Sequence, residues 1–257
     1  MPIHRDRAAR SQSPGRELAG REGRASVDHP SRRAPSVNHP ARRDAPWTFH
    51  LGYGALCLDF ANTVSWRGSG APVEHLPTYE ELIRFAQQSK LLSEDEARRL
   101  RREAARNPGT ATRALRKAVA LREALYRIFA GQADGRSPAA ADLEILNASL
   151  PDALIRLRVA AGDDGLSWAW GGDREALDRL VWPVARDAAV FLTSTDLSRL
   201  RVCANPRCHW VFYDGTRSGT RRWCTMAVCG NQAKLRRYRQ RLRRAMAPAK
   251  RRRSTVT

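Results

Sequence analysis

Four cysteines constrain the fold of this chain more than any other feature. Cys203, Cys208, Cys224 and Cys229 form two C-x4-C pairs separated by fifteen residues. Zinc takes four ligands at the corners of a tetrahedron, and two thiolate pairs on separate local turns supply them with little loop entropy lost inside each pair. The spacing therefore predicts one Zn²⁺ per chain, bound by these four thiolates, and the alternative is four thiols without a ligand.

Two other residues could in principle bind the metal, and neither is expected to do so. Cys57 stands apart, between Leu56 and Leu58, and is expected to be a small buried hydrophobic residue. His209 follows Cys208 directly and could compete as a ligand. Adjacent side chains of an extended segment point to opposite faces, so we expect His209 to point away from the metal.

The residues between and after the cysteine pairs predict a small finger. HWVFYDGTRSGTRRW, residues 209–223, is typical of a hairpin with a Gly-containing turn, with Trp210, Phe212 and Trp223 as its core. After Cys229 the sequence has the period of a helix. Its apolar seam, which could dock on the finger or on the rest of the chain, consists of Leu235, Tyr238, Leu242 and Ala245 or Met246.

Positive charge is concentrated around this helix. The formal net charge is +20, and residues 199–257 hold 17 Lys and Arg against Asp214 alone. A polyanion such as double-stranded DNA would supply the missing negative charge, and its counterions would be released on binding. The expected nucleic-acid contacts are Arg221, Arg222, Lys234, Arg236, Arg237, Arg239, Arg241, Arg243 and Arg244.

The composition divides the rest of the chain. Residues 1–46 are rich in Arg, Pro, Ser and Gly and are expected to be a disordered basic tail, as are residues 248–257. Residues 47–198 are nearly neutral and predict a helical domain, and residues 199–247 form the finger. The expected fold is mainly α with small β-hairpins, a helical domain followed by a treble-clef-like zinc finger in which a hairpin precedes a basic helix.

Local signals place the elements of the helical domain. Thr78 and Ser93, each followed three residues later by Glu, have the spacing of a capping box and predict helices over 78–89 and 93–106. Further helices are expected over 110–131, from Ser137 to Leu150, and over 173–193 with a kink at Pro183. Residues 154–170 alternate around GDDG and predict a β-hairpin.

A second candidate site lies near the start of the helical domain. Asp59, Asn62 and Trp66 interrupt an apolar run and could line a ligand pocket for a small-molecule effector, although helix capping is the simpler role for Asp59 and Asn62. The sequence of this region has no paired catalytic carboxylates, no phosphate-binding Gly loop and no Ser-His-Asp arrangement. The sequence therefore favours a binding protein over an enzyme.

Two stretches resemble known bacterial families. CANPRCHWVFYDGTRSGTRRWCTMAVCGNQAKLRRYRQR resembles the CGNR-type zinc finger, and LDFANTVSWRG resembles the start of the helical ABATE domain that usually precedes it. The resemblance implies a stress-induced transcription regulator whose finger binds DNA, with metal ligands at the same four cysteines. The chain reads CGNQ where the family has CGNR, because Gln232 replaces the family's Arg.

These observations predict a zinc-dependent DNA-binding regulator whose helical domain senses an effector or forms a homodimer. The alternative is a protein that binds structured RNA or the ribosome through the same basic finger, which would need exposed aromatic side chains for base stacking. No run of eighteen apolar residues and no secretory signal are found, so the sequence predicts a cytoplasmic protein without a membrane partner.

Overall fold

The computed structural model describes residues 47–162 and 165–246. The tails expected at 1–46 and 248–257, and the centre of the GDDG turn, lie outside the described residues. Seven α-helices occur in the described part: α1 Leu56–Ala61, α2 Tyr79–Gln88, α3 Glu94–Arg106, α4 Pro108–Ala133, α5 Ala140–Leu154, α6 Trp182–Ser194 and α7 Asn231–Met246. Short 3-10 turns cover Leu177–Val181 and Leu197–Arg199, and a π turn covers Met226–Gly230.

The strands form three separate antiparallel pairs. They are β1 Val64–Ser65 with β2 Val73–Glu74, β3 Leu157–Gly162 with β4 Gly165–Trp170, and β5 Leu200–Val202 with β6 Val211–Tyr213. The predicted fold class, mainly helical with small hairpins, is confirmed. Strands β3 and β4 pair within the range predicted for the hairpin, 154–170, but the first arm begins at Leu157 because α5 extends to Leu154. None of the described helices combines the length and the apolar character that crossing a bilayer requires.

Helix α4 is the centre of the core. It packs against α1, α2, α3 and α5, and also against strand β5 of the finger. Its inward stripe includes the fully buried Leu121, Leu125, Ile128 and Phe129, as the helical period of these residues predicts. The same buried cluster continues without a break to the finger residues Trp210 and Phe212 and to the four cysteines that form the two pairs.

Proline positions account for several differences from the predicted helices. Asn107, Pro108 and Gly109 were expected to separate two helices, but α4 already begins at Pro108. The first turn of a helix tolerates Pro because its missing N–H would have no partner there. For the same reason Pro183 lies in the first turn of α6, after a 3-10 turn, and does not kink a continuous helix. Helix α5 continues through Pro151 to Leu154.

The two predicted capping boxes differ. The Ser93 hydroxyl accepts from the Glu96 N–H at 3.3 Å, and the Glu96 carboxylate accepts from the Ser93 N–H at 3.0 Å, so this box is confirmed. The Thr78 side chain makes no bond to the helix amides and instead donates to the Glu81 carboxylate. Thr78 is the N-cap residue of α2, but the box predicted there is wrong.

The hairpin predicted across residues 209–223 is wrong in its second arm. Strand β6 pairs with β5, in the register Leu200–Tyr213 and Val202–Val211. The first cysteine pair therefore lies in the loop of the hairpin. Residues 214–223 form a loop instead of a strand. The buried Asp214 carboxylate accepts hydrogen bonds from the N–H groups of Thr216 and Arg221 and so stabilises the loop conformation.

Candidate functional site

The four predicted metal ligands converge. All four cysteines are buried, and their Sγ atoms lie within 4.8 Å of one another. Cys224 Sγ is 3.7 Å from both Cys208 Sγ and Cys229 Sγ. Tetrahedral zinc with Zn–S bonds of about 2.3 Å separates its sulfur ligands by about 3.8 Å, so the cluster has the dimensions of a zinc site. The residues fit one Zn²⁺, as the sequence predicted.

Local backbone geometry brings each pair together. The Cys203 N–H donates to the Trp210 carbonyl at 2.8 Å, which continues the β5–β6 ladder, and the Cys208 N–H donates to the Asn205 carbonyl at 2.8 Å in a tight turn. In the second pair, the Thr225 hydroxyl accepts from the Val228 N–H at 3.2 Å and stabilises the start of the π turn that contains Cys229. Each pair is thus positioned by a short local turn.

The electrostatics of the cluster also favour binding of a cation. Hydrogen bonds from neighbouring thiols, Cys208 first, lower the pKa of the Cys203 thiol. The pKa of Cys224 is raised, chiefly by its hydrogen bonds to Cys203 and the other two sulfurs. Four thiols this close and this buried cannot all ionise unless a positive charge compensates them. A divalent cation with a preference for thiolates supplies that charge.

Asn205 connects the metal site to the basic helix. Its side chain is fully buried, and its Nδ2 donates to Cys229 Sγ at 3.4 Å and to Gln232 Oε1 at 3.0 Å. Its Oδ1 accepts from the Arg207 N–H at 3.3 Å and from Arg236 at 3.4 Å. The sequence did not identify Asn205 as a residue of the site, because the spacing of the cysteines carries no signal for this contact.

Gln232 therefore has a structural role. Its amide oxygen accepts the hydrogen bond that orients Asn205 toward the Cys229 sulfur. An Arg at this position has only donors and could not accept from Asn205 Nδ2. The Gln that replaces the last residue of CGNR therefore suits the Nδ2 donor that Asn205 presents in this chain. The replacement does not affect the assignment of the metal ligands.

The two arginines of the loop before Cys224 differ in their surroundings. Arg221 lies over the Phe212 ring at 4.5 Å and donates to the carbonyls of Trp223, at 2.9 Å, and of Cys224. Its guanidinium therefore supports the backbone of the metal loop. Arg222 is exposed and lies 5.5 Å from the centre of the Trp223 ring. Only Arg222 of this pair presents its charge fully at the surface.

Helix α7 projects from the metal site with its cations exposed. Within the described residues, Lys234 and the arginines at 236, 237, 239, 241, 243 and 244 are all exposed. In the described part of the chain none of them forms an ion pair, and Arg236 alone has a side-chain hydrogen bond, to Asn205. The seven positions of α7 that were predicted to contact nucleic acid are therefore all exposed along this helix, and together they are its basic surface.

The apolar seam of α7 does not dock as predicted. Leu235, Tyr238 and Leu242 are 47%, 59% and 44% exposed, and Ala233 is the buried residue of the helix. The helix contacts the finger through its first turn, where Ala233 and Gln232 face Asn205 and the π turn. The rest of the helix extends beyond the surface that could have received the seam.

The candidate ligand-pocket residues already have structural partners. Asp59 accepts from the N–H groups of Gly52 and Tyr53 at 2.8–3.0 Å, and burial raises its pKa to about 7. Asn62 binds the backbone of Val211 twice, donating to its carbonyl at 2.8 Å and accepting from its N–H at 3.0 Å. Neither side chain caps the start of a helix, which corrects the simpler expectation for Asp59 and Asn62.

The segment that contains these residues holds the finger in place. The Trp210 indole donates to the Val64 carbonyl at 2.7 Å, and the Gly68 N–H donates to the Arg207 carbonyl at 3.2 Å. Gly68 is required there because a Cβ would lie 2.3 Å from the Pro206 carbonyl oxygen. The guanidinium of Arg207 also lies 5.7 Å from the Trp66 ring. Residues 62–68 are therefore a docking site for the finger.

His209 points away from the sulfurs, but for a different reason than expected. Its backbone has φ of 56°, in the left-handed region and not extended. The Tyr126 hydroxyl donates to its carbonyl at 3.0 Å, and its ring lies beside Gly68. The metal-ligand cluster contains the four cysteines without His209.

Comparison with known families agrees with this geometry. Residues 54–195 match the family model ABATE, described as "Putative stress-induced transcription regulator", and residues 199–242 match the CGNR zinc finger. No curated protein matches the chain. The first match covers more than half of the 257 residues, and the second contains all four metal-binding cysteines. The chain therefore belongs to the ABATE family, and it carries a CGNR zinc finger after the ABATE region.

Proposed function

We propose that this protein is a cytoplasmic transcription regulator that binds double-stranded DNA through its zinc finger and is not an enzyme. The observation that carries the proposal is the basic surface of α7, which begins two residues after the metal ligand Cys229. Zinc fixes the start of the helix, and the helix presents seven cations to a phosphate backbone.

Neighbouring acids do not neutralise this surface. Asp214 is the acidic residue of the finger, and its carboxylate is fully buried and accepts from Thr216 and Arg221. Like charges three and four residues apart destabilise an isolated helix. A polyanion would remove that repulsion, so binding of DNA and order of the helix would support each other.

We assign the helical region a regulatory role, as a sensor of a small-molecule effector or as a dimerisation surface that forms a homodimer. The support comes from Asn62, which binds both backbone groups of Val211 in the finger strand β6. A shift in residues 62–68 would move the finger directly, so an event in the helical region could alter the position of α7.

Double-stranded DNA is favoured over structured RNA by the position of the aromatic residues. Recognition of unpaired bases uses several exposed aromatic rings. Trp210 and Phe212 are buried in the finger, and Tyr238 is the aromatic residue that α7 exposes. The basic surface is therefore better suited to the phosphate rows of a duplex than to splayed bases.

A salt titration of duplex binding tests the proposal. We expect log K to fall steeply with log salt, with a slope of about −0.9 for each phosphate contact. Replacing Arg237, Arg241 and Arg244 with Gln should make the slope less negative by up to about 2.7. Fluorescence anisotropy with a labelled 20-base-pair duplex and a competing RNA hairpin measures both the slope and the preference.

A matched variant separates local from general charge effects. Arg102, Arg113 and Arg116 are exposed cations of α3 and α4 that form no ion pair within the described residues. Their replacement with Gln changes the net charge by the same amount and should leave the slope nearly unchanged. A wild-type slope near zero, equal effects of the two triple variants, or a clear preference for the RNA hairpin would contradict the proposal.

A further inference from the structure

The exposed apolar residues of α7 form a narrow stripe. At about 100° per residue, Leu235, Tyr238, Leu242 and Met246 fall within roughly 80° of the helix circumference. All four are exposed in the structure. An apolar stripe of this kind normally faces a partner, because leaving it in water forgoes the free energy of its burial.

The stripe points away from the finger. Ala233, the buried residue of α7, lies about 160° around the helix from Leu235, and Gln240 lies on the same side as Ala233. The docked side of the helix and the apolar stripe are therefore nearly opposite. The partner of the stripe must approach from outside the described part of the chain.

Cations border the stripe on both sides. Arg236, Arg239 and Arg243 lie on one flank, about 60° to 120° from its centre line. The opposite flank carries Lys234 and Arg241, about 80° and 100° from the centre line, whereas Arg237 and Arg244 lie about 140° and 160° from it, toward the side of Ala233. The helix thus presents, in order around its circumference, a positive row, an apolar row and a second positive row.

This order matches one feature of duplex DNA. An α-helix with side chains is about 10–12 Å across, and the major groove is about 12 Å wide, bordered by a phosphate row on each side. Seated in the groove, the two positive rows would face the two phosphate rows, and the apolar row would face the base edges. The apolar group on those edges is the C5 methyl of thymine.

We propose that Leu235, Tyr238 and Leu242 contact thymine methyl groups in the major groove and so give the protein a preference for thymine-containing sites. This inference rests on the proposed binding of double-stranded DNA and adds the base feature that is read. A second copy of the chain would be a poor partner for the stripe, because docking two α7 helices would bring together fourteen cations. The charge of the flanks thus selects an anionic partner.

Substitution of uracil for thymine tests the inference directly. A duplex rich in A·T pairs is compared with the same duplex in which deoxyuridine replaces every thymidine, so that only the methyl groups are lost. We expect the uracil duplex to bind more weakly by about fourfold for each methyl that the stripe covers. The salt slope should be the same for both duplexes, because their phosphates are identical.

Variants then assign the preference to the stripe. The double variant Leu235→Ala, Leu242→Ala should lose most of the preference and keep only the part that Tyr238 supplies, with its zinc content and salt slope retained. The control Val159→Ala, Leu166→Ala alters two exposed residues of the β3–β4 hairpin and should keep the preference.

The outcomes separate this inference from the proposed function. Equal wild-type affinity for both duplexes with a steep salt slope, or a preference that is undiminished in the α7 double variant, would overturn the thymine contact and leave DNA binding intact. Absence of duplex binding would instead overturn the proposed function, and this inference with it.

Discussion

The base of the finger and its last helix differ in how their polar groups are used. In the base, residues 200–230, Asp214, Asn205 and Arg221 are each held by hydrogen bonds to the finger backbone or to metal-site residues. In α7, six of the seven cations have no side-chain partner within the described residues, and Arg236 has a single contact. The polar side chains of the base have hydrogen-bond partners inside the finger, whereas most cations of α7 have no partner within the described residues.

This contrast indicates that the residues that stabilise the fold differ from the residues that bind a partner. A buried polar group that loses its partner destabilises the fold, whereas an exposed cation can be replaced with little effect on it. Changes in the base should therefore act on stability and on the metal, and changes in α7 should act on binding. The following experiments test this separation.

The largest effect is expected for Cys224→Ser. The hydroxyl cannot replace a thiolate in a tetrahedral thiolate site, so zinc content should fall from one per chain to near zero. Amide hydrogen exchange should accelerate throughout residues 199–230 while the α4 amides remain protected. Metal analysis and exchange mass spectrometry measure both effects. Cys57→Ala, which alters a buried cysteine outside the cluster, should retain zinc, and a Cys224→Ser protein with full zinc would refute the site.

A smaller but clear effect is expected for Asn62→Ala. The substitution leaves the buried N–H and carbonyl of Val211 without their partners and should lower the free energy of unfolding by about 3 kcal/mol. Urea unfolding measures the change. Asn147→Ala, at an exposed position of α5, should change it by less than about 0.5 kcal/mol. Similar stability of the two variants would favour the ligand-pocket role that the sequence suggested for Asn62.

Gln232 lies where the base of the finger meets α7, and its substitution tests whether this contact supports the metal site. Gln232→Ala removes the acceptor that orients Asn205 and should weaken zinc affinity by about tenfold, the low end of effects at residues that support metal ligands. Gln232→Glu keeps an acceptor and should restore much of the affinity. Competition with a chelator measures it, and Gln240→Ala, farther along the same helix, is the control. Unchanged affinity in Gln232→Ala would mean that Asn205 is held sufficiently by its other contacts.

The smallest change in stability is expected for the triple replacement of Arg237, Arg241 and Arg244 with Gln. In the absence of DNA, the free energy of unfolding should change by less than about 0.5 kcal/mol, since these cations have no described partners and repel one another. The same urea experiment provides the measurement. A loss of more than about 2 kcal/mol would show that α7 is part of the stabilised structure, and the contrast between the two regions would be lost.

The sequence predicted those features that depend on local pattern. The repeated C-x4-C spacing was sufficient to identify the four ligands, because the residues of each pair are close in the chain and the metal imposes the rest. The Ser93 capping box and the stripe of α4 were likewise readable, since a cap and a helical face involve residues three or four apart.

Tertiary structure decided which distant groups meet. Asn62 was identified as unusual, but its partner Val211 lies 149 residues away, and the sequence favoured helix capping or a pocket. The arm that pairs with β6 and the exposure of the α7 seam were also predicted wrongly, because period and spacing identify a face without identifying what covers it. The local sequence determined which residues bind the metal and which residues carry the positive charge. Packing between distant segments determined where the finger and its basic helix lie on the rest of the protein.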